Sequence, residues 1–187
     1  MSLPERTMIE IAIAVGVTLL VLVAVLLVYG ATRPDTFVIQ RAATIDAPPE
    51  AVFPHVNDFH KWLAWSPWQH LDPNMRRTHS GAAAGVGAGY AWEGNKKAGK
   101  GRMTITESAA PSRIVIALDF EKPFEAHNVT EFAFQRQGNS TAVTWTLTGR
   151  QPFLFKVMSL FFSLDKMVGK DFERGLAGLK KVVEPAA

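Results

Sequence analysis

From Ile11 to Tyr29 the chain is apolar at every position except Gly16 and Thr18, and no charge interrupts the run. Its nineteen residues would rise about 28 Å as an α-helix, close to the thickness of a bilayer's hydrocarbon core. Glu10 and Arg33 bracket the run, and Pro34 stops it. Val, Leu, Ile and Ala occupy all sides of the helix, so there is no polar stripe of the kind an interfacial helix needs. A cleaved signal peptide is the competing reading. Its apolar region would be shorter and its start more basic, whereas Arg6 is the only basic side chain before the run. The pattern predicts an N-terminal tail and transmembrane anchor over residues 1–33. Arg6 with the free amino terminus balances Arg33 and Arg41 across the span, so the positive-inside rule does not orient it.

After Pro34 the period changes. Phe37 to Ile45 reads as a strand, and Asp46-Ala47-Pro48-Pro49-Glu50 opens a helix with prolines early and an acid in the first turn. A second short helix is predicted over Asp58 to Leu63, broken by Pro67. Five stretches of period two follow: Tyr90 and Trp92; Met103 and Ile105; Ile114 to Phe120; Asn128, Thr130, Phe132 and Phe134; and Val143, Trp145 and Leu147. Such alternation predicts an antiparallel sheet covered on one face. Turns are marked by Gly94-Asn95, Ala109-Ala110-Pro111-Ser112 and Gly138-Asn139. From Leu164 to Val183 apolar residues recur at spacings of three and four with lysines between them, the pattern of a long amphipathic helix. Residues 34–187 are therefore read as one α+β domain.

Composition removes several function classes. The 187-residue chain has no cysteine, which excludes disulfide scaffolds, thiolate metal sites and a cysteine nucleophile. Twenty basic and 17 acidic residues leave a net charge of only +3, without the basic stripe that nucleic-acid binding needs. Gly85-x-Gly-x-Gly89 is followed by strand rather than helix, so it reads as a bent hairpin, not a phosphate loop. The five histidines show no ligand spacing, and neither a metal nor a cofactor is expected. Among candidate acids and bases, strand parity turns Asp119 and His127 outward, while Glu93 and Glu121 fall at strand ends. No catalytic residue is assigned.

Several motifs carry a resemblance. Ile45-Asp46-Ala47-Pro48-Pro49-Glu50-Ala51-Val52-Phe53, Trp62-Leu63-Ala64-Trp65-Ser66-Pro67-Trp68 and Gly85-Val86-Gly87-Ala88-Gly89-Tyr90-Ala91-Trp92 are similar to the START-like, or helix-grip (SRPBCC), superfamily in its polyketide cyclase/dehydrase-like bacterial branch. Asp119 to Phe124, Thr144-Trp145-Thr146 and Gly169 to Leu176 extend the likeness, which runs from about Thr36 to Glu184. It implies a helix-grip fold: an antiparallel sheet wrapped round a long C-terminal helix and enclosing an apolar cavity. The residues that parity turns inward would line that cavity, namely Tyr90, Trp92, Met103, Ile105, Phe120, Asn128, Thr130, Phe132, Phe134, Val143 and Trp145. Asn128 and Thr130 would be its polar handles unless the core itself satisfies them.

The functional expectation is a membrane-anchored binding module for a hydrophobic small molecule or lipid, without catalysis. A cyclase- or hydrolase-type enzyme using the same cavity, and an accessory subunit of an integral-membrane complex, are the alternatives. Pro152 to Phe162 holds eight large apolar residues against one charge, Lys156. It is expected to form a helix apolar all round, near the cavity mouth, facing membrane, partner or ligand through Phe153, Phe155 and Phe162.

Overall fold

The computed structural model describes residues 5–184. They divide into two compact units, one built from the chain up to Asp35 together with Gln151–Ser163, the other from Thr36–Arg150 and from Leu164 onward.

In the first unit, α1 (Glu5–Thr32) carries the apolar run, and most of its large apolar side chains between Met8 and Val28 are exposed. It is long and apolar enough to cross a membrane. The second helix of this unit, Phe153–Met158 (α3 in chain order), is shorter than the sequence pattern suggested. The chain turns at Ser159, whose hydroxyl donates to the Lys156 carbonyl. Apolar residues without a period report burial or lipid contact but not helix length, which is why the pattern overran.

The second unit is the helix grip. Its strands are β1 (Thr36–Ile45), β2 (Arg76–Gly81), β3 (Ala88–Glu93), β4 (Lys100–Ala109), β5 (Arg113–Lys122), β6 (Ala126–Gln137) and β7 (Ser140–Arg150). They form one antiparallel sheet in the order β1-β7-β6-β5-β4-β3-β2. Helix α2 (Pro49–Asn57) starts at Pro49, where the missing N–H costs nothing, and buries Val52, Phe53 and Val56. Two 3-10 turns follow, Phe59–Ala64 and Pro67–His70, where one ordinary short helix had been expected before Pro67. The long helix α4 (Leu164–Val183) buries Phe172, Leu176 and Leu179 against the sheet.

Strand β2 was not foreseen. It lies at the sheet edge, pairs only with β3, and reads Arg-Arg-Thr-His-Ser-Gly, so it offers no apolar alternation to detect. The glycine motif beside it makes a bent connection, as expected. Gly85 and Gly87 take φ of 74° and 85°, and a side chain on Gly81 would meet the Gly87 carbonyl.

Arg41 points to the inner face of β1 and reaches α4, donating from Nε to Glu173 at 2.8 Å and from Nη1 to Asp165 at 2.9 Å. It holds the Asp165 carboxyl below its ordinary titration range. Gly169 makes room for the guanidinium, since a Cβ there would stand 2.0 Å from Arg41 Nη2. The helix is thus fixed to the sheet by charge at one end and by apolar packing along the rest.

Candidate functional site

The inner face of the sheet is a series of rows across the strands, and the rows differ in how they are covered. Register places Ala43, Val143 and Phe134 in one row and Arg41, Trp145 and Phe132 in the next. Here the rings fill the space. Trp145 stacks on Phe172 of α4 with centroids 4.1 Å apart and planes 7° from parallel, and meets Phe132 at 4.6 Å. Trp65 packs edge-on against both Phe132 and Trp145, and Phe134 against Phe53 of α2. Phe132, Phe134, Val143, Trp145 and Ile105 are all buried. This half of the interior is a close-packed aromatic core.

The row through Phe37, Gly149, Asn128, Leu118, Met103 and Tyr90 is different. So is the next, through Phe120, Gly101 and Trp92. Phe37, Leu118, Phe120 and Trp92 are only half-buried. Trp92 meets Phe120 edge-on at 5.7 Å and lies parallel to Tyr90 at 6.1 Å. The inner face therefore runs from a filled aromatic half to an incompletely covered apolar lip.

The two polar candidates separate along the same line. Thr130 Oγ1 accepts from Trp145 Nε1 at 2.8 Å and donates to the Thr146 carbonyl at 3.0 Å. Its hydroxyl is fully used within the core. Asn128 is 8% exposed, and its side-chain amide makes no hydrogen bond to any described residue. Gly149 provides its space: a Cβ there would stand 2.0 Å from Asn128 Oδ1 and 2.7 Å from the Phe37 ring. Among the described residues, the one sealed side-chain polar atom without a hydrogen bond is Ser66 Oγ, so the Asn128 amide, with its two donors and two lone pairs, keeps contact with the open side of the lip.

Of the sequence candidates, all eleven expected to face inward thus lie on the inner face of the second unit, with Trp92, Met103, Phe120 and Asn128 along the lip and Tyr90 bordering it. Phe155 and Phe162 belong to the first unit. Phe37 and Leu118 were missed as lip residues, although both occupy inward positions by parity.

The ionisable groups lie elsewhere. His127 Nδ1 is 2.7 Å from Asp119 Oδ1 on the outer face, where Arg102 Nε also donates to Asp119 at 3.1 Å. The His127 contact, with help from Arg102, holds the Asp119 carboxyl below its usual range. Glu121 pairs with Lys100 at 2.9 Å. His60 stacks on His79 with centroids 4.0 Å apart and contacts Asp58 at 2.9 Å. Burial, followed by His60, pushes His79 below the ordinary histidine value. Among the described residues, no three His, Asp or Glu side chains converge as metal ligands. A surface depression of about 450 Å³ involves His55, His60, Lys61, Leu63, Ala64 and Val182. Another of about 480 Å³ lies among Glu93, Gly94, Asn95, Lys96, Gly99, Lys100, Lys122 and Pro123.

Known structures share this architecture. CV1439 from Chromobacterium violaceum superposes with a TM-score of 0.57 at 17% identity, over 82% of this chain and 100% of that one. The Aha1 dimer from Colwellia psychrerythraea gives 0.56 at 14%, over 79% and 96%, and Mll3558 from Rhizobium loti 0.54 at 17%, over 78% and 96%. At such identities the likeness shows the fold alone. No curated protein matches the chain. The family model for polyketide cyclase / dehydrase and lipid transport matches residues 36–184. With its seven-stranded grip on a long C-terminal helix, the chain belongs to that family, within the START-like helix-grip superfamily.

Proposed function

We propose that the protein is a membrane-anchored module that binds an amphipathic apolar molecule, such as a lipid or fatty acid, at the lip of the sheet without transforming it. The observation that carries this reading is Asn128, a nearly buried inward amide that makes no hydrogen bond to any described residue, set beside the half-covered Phe37 and Leu118. The apolar body of a ligand would lie on Phe37, Met103, Leu118, Phe120 and Trp92, with its carbonyl, hydroxyl or carboxyl on Asn128. Each Å² of apolar surface so covered contributes about 25 cal/mol. The family's description includes lipid transport, in keeping with such cargo. Helix α1 would hold the domain beside a lipid reservoir.

The test is titration of a fluorescently labelled fatty acid into the detergent-solubilised full chain, with native mass spectrometry of the purified protein alongside. Saturable one-to-one binding, weakened by Asn128→Leu and abolished by Leu118→Trp, is expected. Binding no stronger than partition into empty micelles, with no apolar molecule co-purifying, would overturn the reading.

A further inference from the structure

The first unit holds a feature that ligand binding does not use. Phe153 packs directly on the backbone of α1 at Gly30, where a Cβ would stand 2.4 Å from its ring. Gly30 is the residue just after the apolar run ends at Tyr29. Arg33 covers the Tyr29 ring with its guanidinium carbon 4.6 Å from the centroid, an aromatic–cation pair of the kind found at a membrane–water boundary. The Gln151 N–H donates to the Asp35 carbonyl at 2.7 Å, and Lys156 Nζ donates to the Asp35 carboxylate at 2.5 Å. Three contacts therefore fix residues 151–163 at the level where α1 leaves its hydrocarbon stretch.

The exposed chemistry of this segment suits that level. Leu154 is 66% exposed, Phe161 73% and Phe162 63%, with Met158 and Leu160 exposed beside them. The single charge, Lys156, is 6% exposed and tied to Asp35. Part of the backbone is paired within the segment: the N–H groups of Lys156, Ser159, Leu160, Phe161 and Phe162 donate to carbonyls between Pro152 and Met158. Large exposed apolar side chains on a short segment with a single, paired charge are what an interfacial membrane contact requires. Lipid rather than a protein partner is the occupant the geometry selects. A leaflet surface is present beside Gly30 whenever α1 spans a bilayer, and no further component is needed.

We propose that residues 151–163 form a second membrane contact, lying in the headgroup–acyl boundary of the leaflet that α1 leaves, with Leu154, Phe161 and Phe162 inserted. The proposal rests on α1 being a span. It makes the anchor of this unit two-point.

The absence of cysteine makes the test direct. Leu154→Cys, Phe161→Cys and Phe162→Cys are each introduced into the full chain, with Leu20→Cys in mid-span and Val38→Cys on the exposed face of β1 as references. Each is spin-labelled and reconstituted in phosphatidylcholine vesicles, and collision rates with oxygen and with a water-soluble nickel chelate are compared. Oxygen-to-nickel ratios at positions 154, 161 and 162 several-fold above that at 38, yet below that at 20, are expected. Water-like ratios at those three positions with a deep Leu20→Cys would overturn the second contact while leaving the span intact. Exclusion of both reagents there would also overturn it, since protein rather than lipid would then be the cover. A water-like Leu20→Cys would remove the span and the proposal together.

Discussion

Thr130→Val is the sharpest test of how the inner face is divided. The two side chains have nearly the same shape, so the substitution leaves packing almost unchanged and deletes one hydroxyl. In the folded protein that hydroxyl accepts from Trp145 Nε1, and Trp145 is 2% exposed and pressed against Phe172, Phe132, Trp65 and Trp68. The indole cannot turn to find water. An orphaned buried donor costs about 1–3 kcal/mol, offset in part by burying a methyl in place of a hydroxyl. A net loss of about 1–2 kcal/mol lowers the apparent Tm by about 2–8 °C in a chain of this size. The assay is thermal unfolding of the solubilised full chain, followed by near-ultraviolet circular dichroism. Asn128→Leu is the paired control. Its amide makes no hydrogen bond to a described residue that would be orphaned, so stability is expected to hold or rise while fatty-acid affinity falls about 2- to 10-fold, the worth of one hydrogen bond. Thr130→Val is expected to leave affinity unchanged. Equal stability of Thr130→Val and the parent, or a larger stability loss from Asn128→Leu, would refute the division.

Three further outcomes follow from the packing. Gly149→Ala is expected to displace Asn128 Oδ1 and the Phe37 ring and to reduce fatty-acid binding more than stability, read by the same titration and melt. Gly169→Ala drives a methyl into the Arg41 guanidinium and is expected to cost about 1–3 kcal/mol by overpacking, measured by urea unfolding; Arg41→Met should remove most of that penalty. Asp119 titrates below its ordinary value in the folded chain because His127 and Arg102 stabilise its charged form. Its contribution is therefore complete above the unfolded value, about 3.9, and is lost as pH falls through the lower folded value. The urea midpoint of Asp119→Asn is expected to fall less than the parent's between about pH 4 and pH 2. A parallel fall would refute the linkage.

Much of the grip is legible in the sequence because its strands are covered on one face only, and alternation survives that arrangement. β6 shows it most plainly: Asn128, Thr130, Phe132 and Phe134 are buried, and the residues between them point outward or partly so. The same parity turned Asp119 and His127 to the outer face, where they pair. The edge strand β2 carries no such signal, because one neighbour and little core contact leave its composition free. In the lead-up to α4, uniform apolarity hid the turn at Ser159. Thr130 and Asn128 differ in a way that no local pattern could reveal. Both face inward two residues apart, but only Thr130 has an indole N–H from β7 within reach, and that neighbour is fixed by sheet register and the Phe172 stack.

The uneven inner face has a mechanical consequence for binding. Ligand affinity is reduced by whatever ordering the site must undergo, so a lip built on floppy side chains would bind weakly. Here the lip continues a row of rings already locked together. Tyr90 donates its hydroxyl to Gln69 at 3.0 Å and packs against Phe59, and Trp92 donates to the Ala98 carbonyl at 3.0 Å. Trp62 and Trp65 are pinned through their indole N–H groups to the carbonyls of Val56 and His55. The aromatic half that leaves no room for a ligand thus holds Tyr90 and Trp92 in place beside Met103 and Phe120. Opening that half would not enlarge the site usefully. Trp145→Ala is expected to remove the Phe172 and Phe132 contacts and cost about 3–5 kcal/mol, a typical loss for truncating a buried aromatic. It should weaken fatty-acid binding through loss of rigidity, although more space is created. Tighter binding of the label by Trp145→Ala than by the parent would show instead that the ligand seats among the core rings, and that the lip is only its way in.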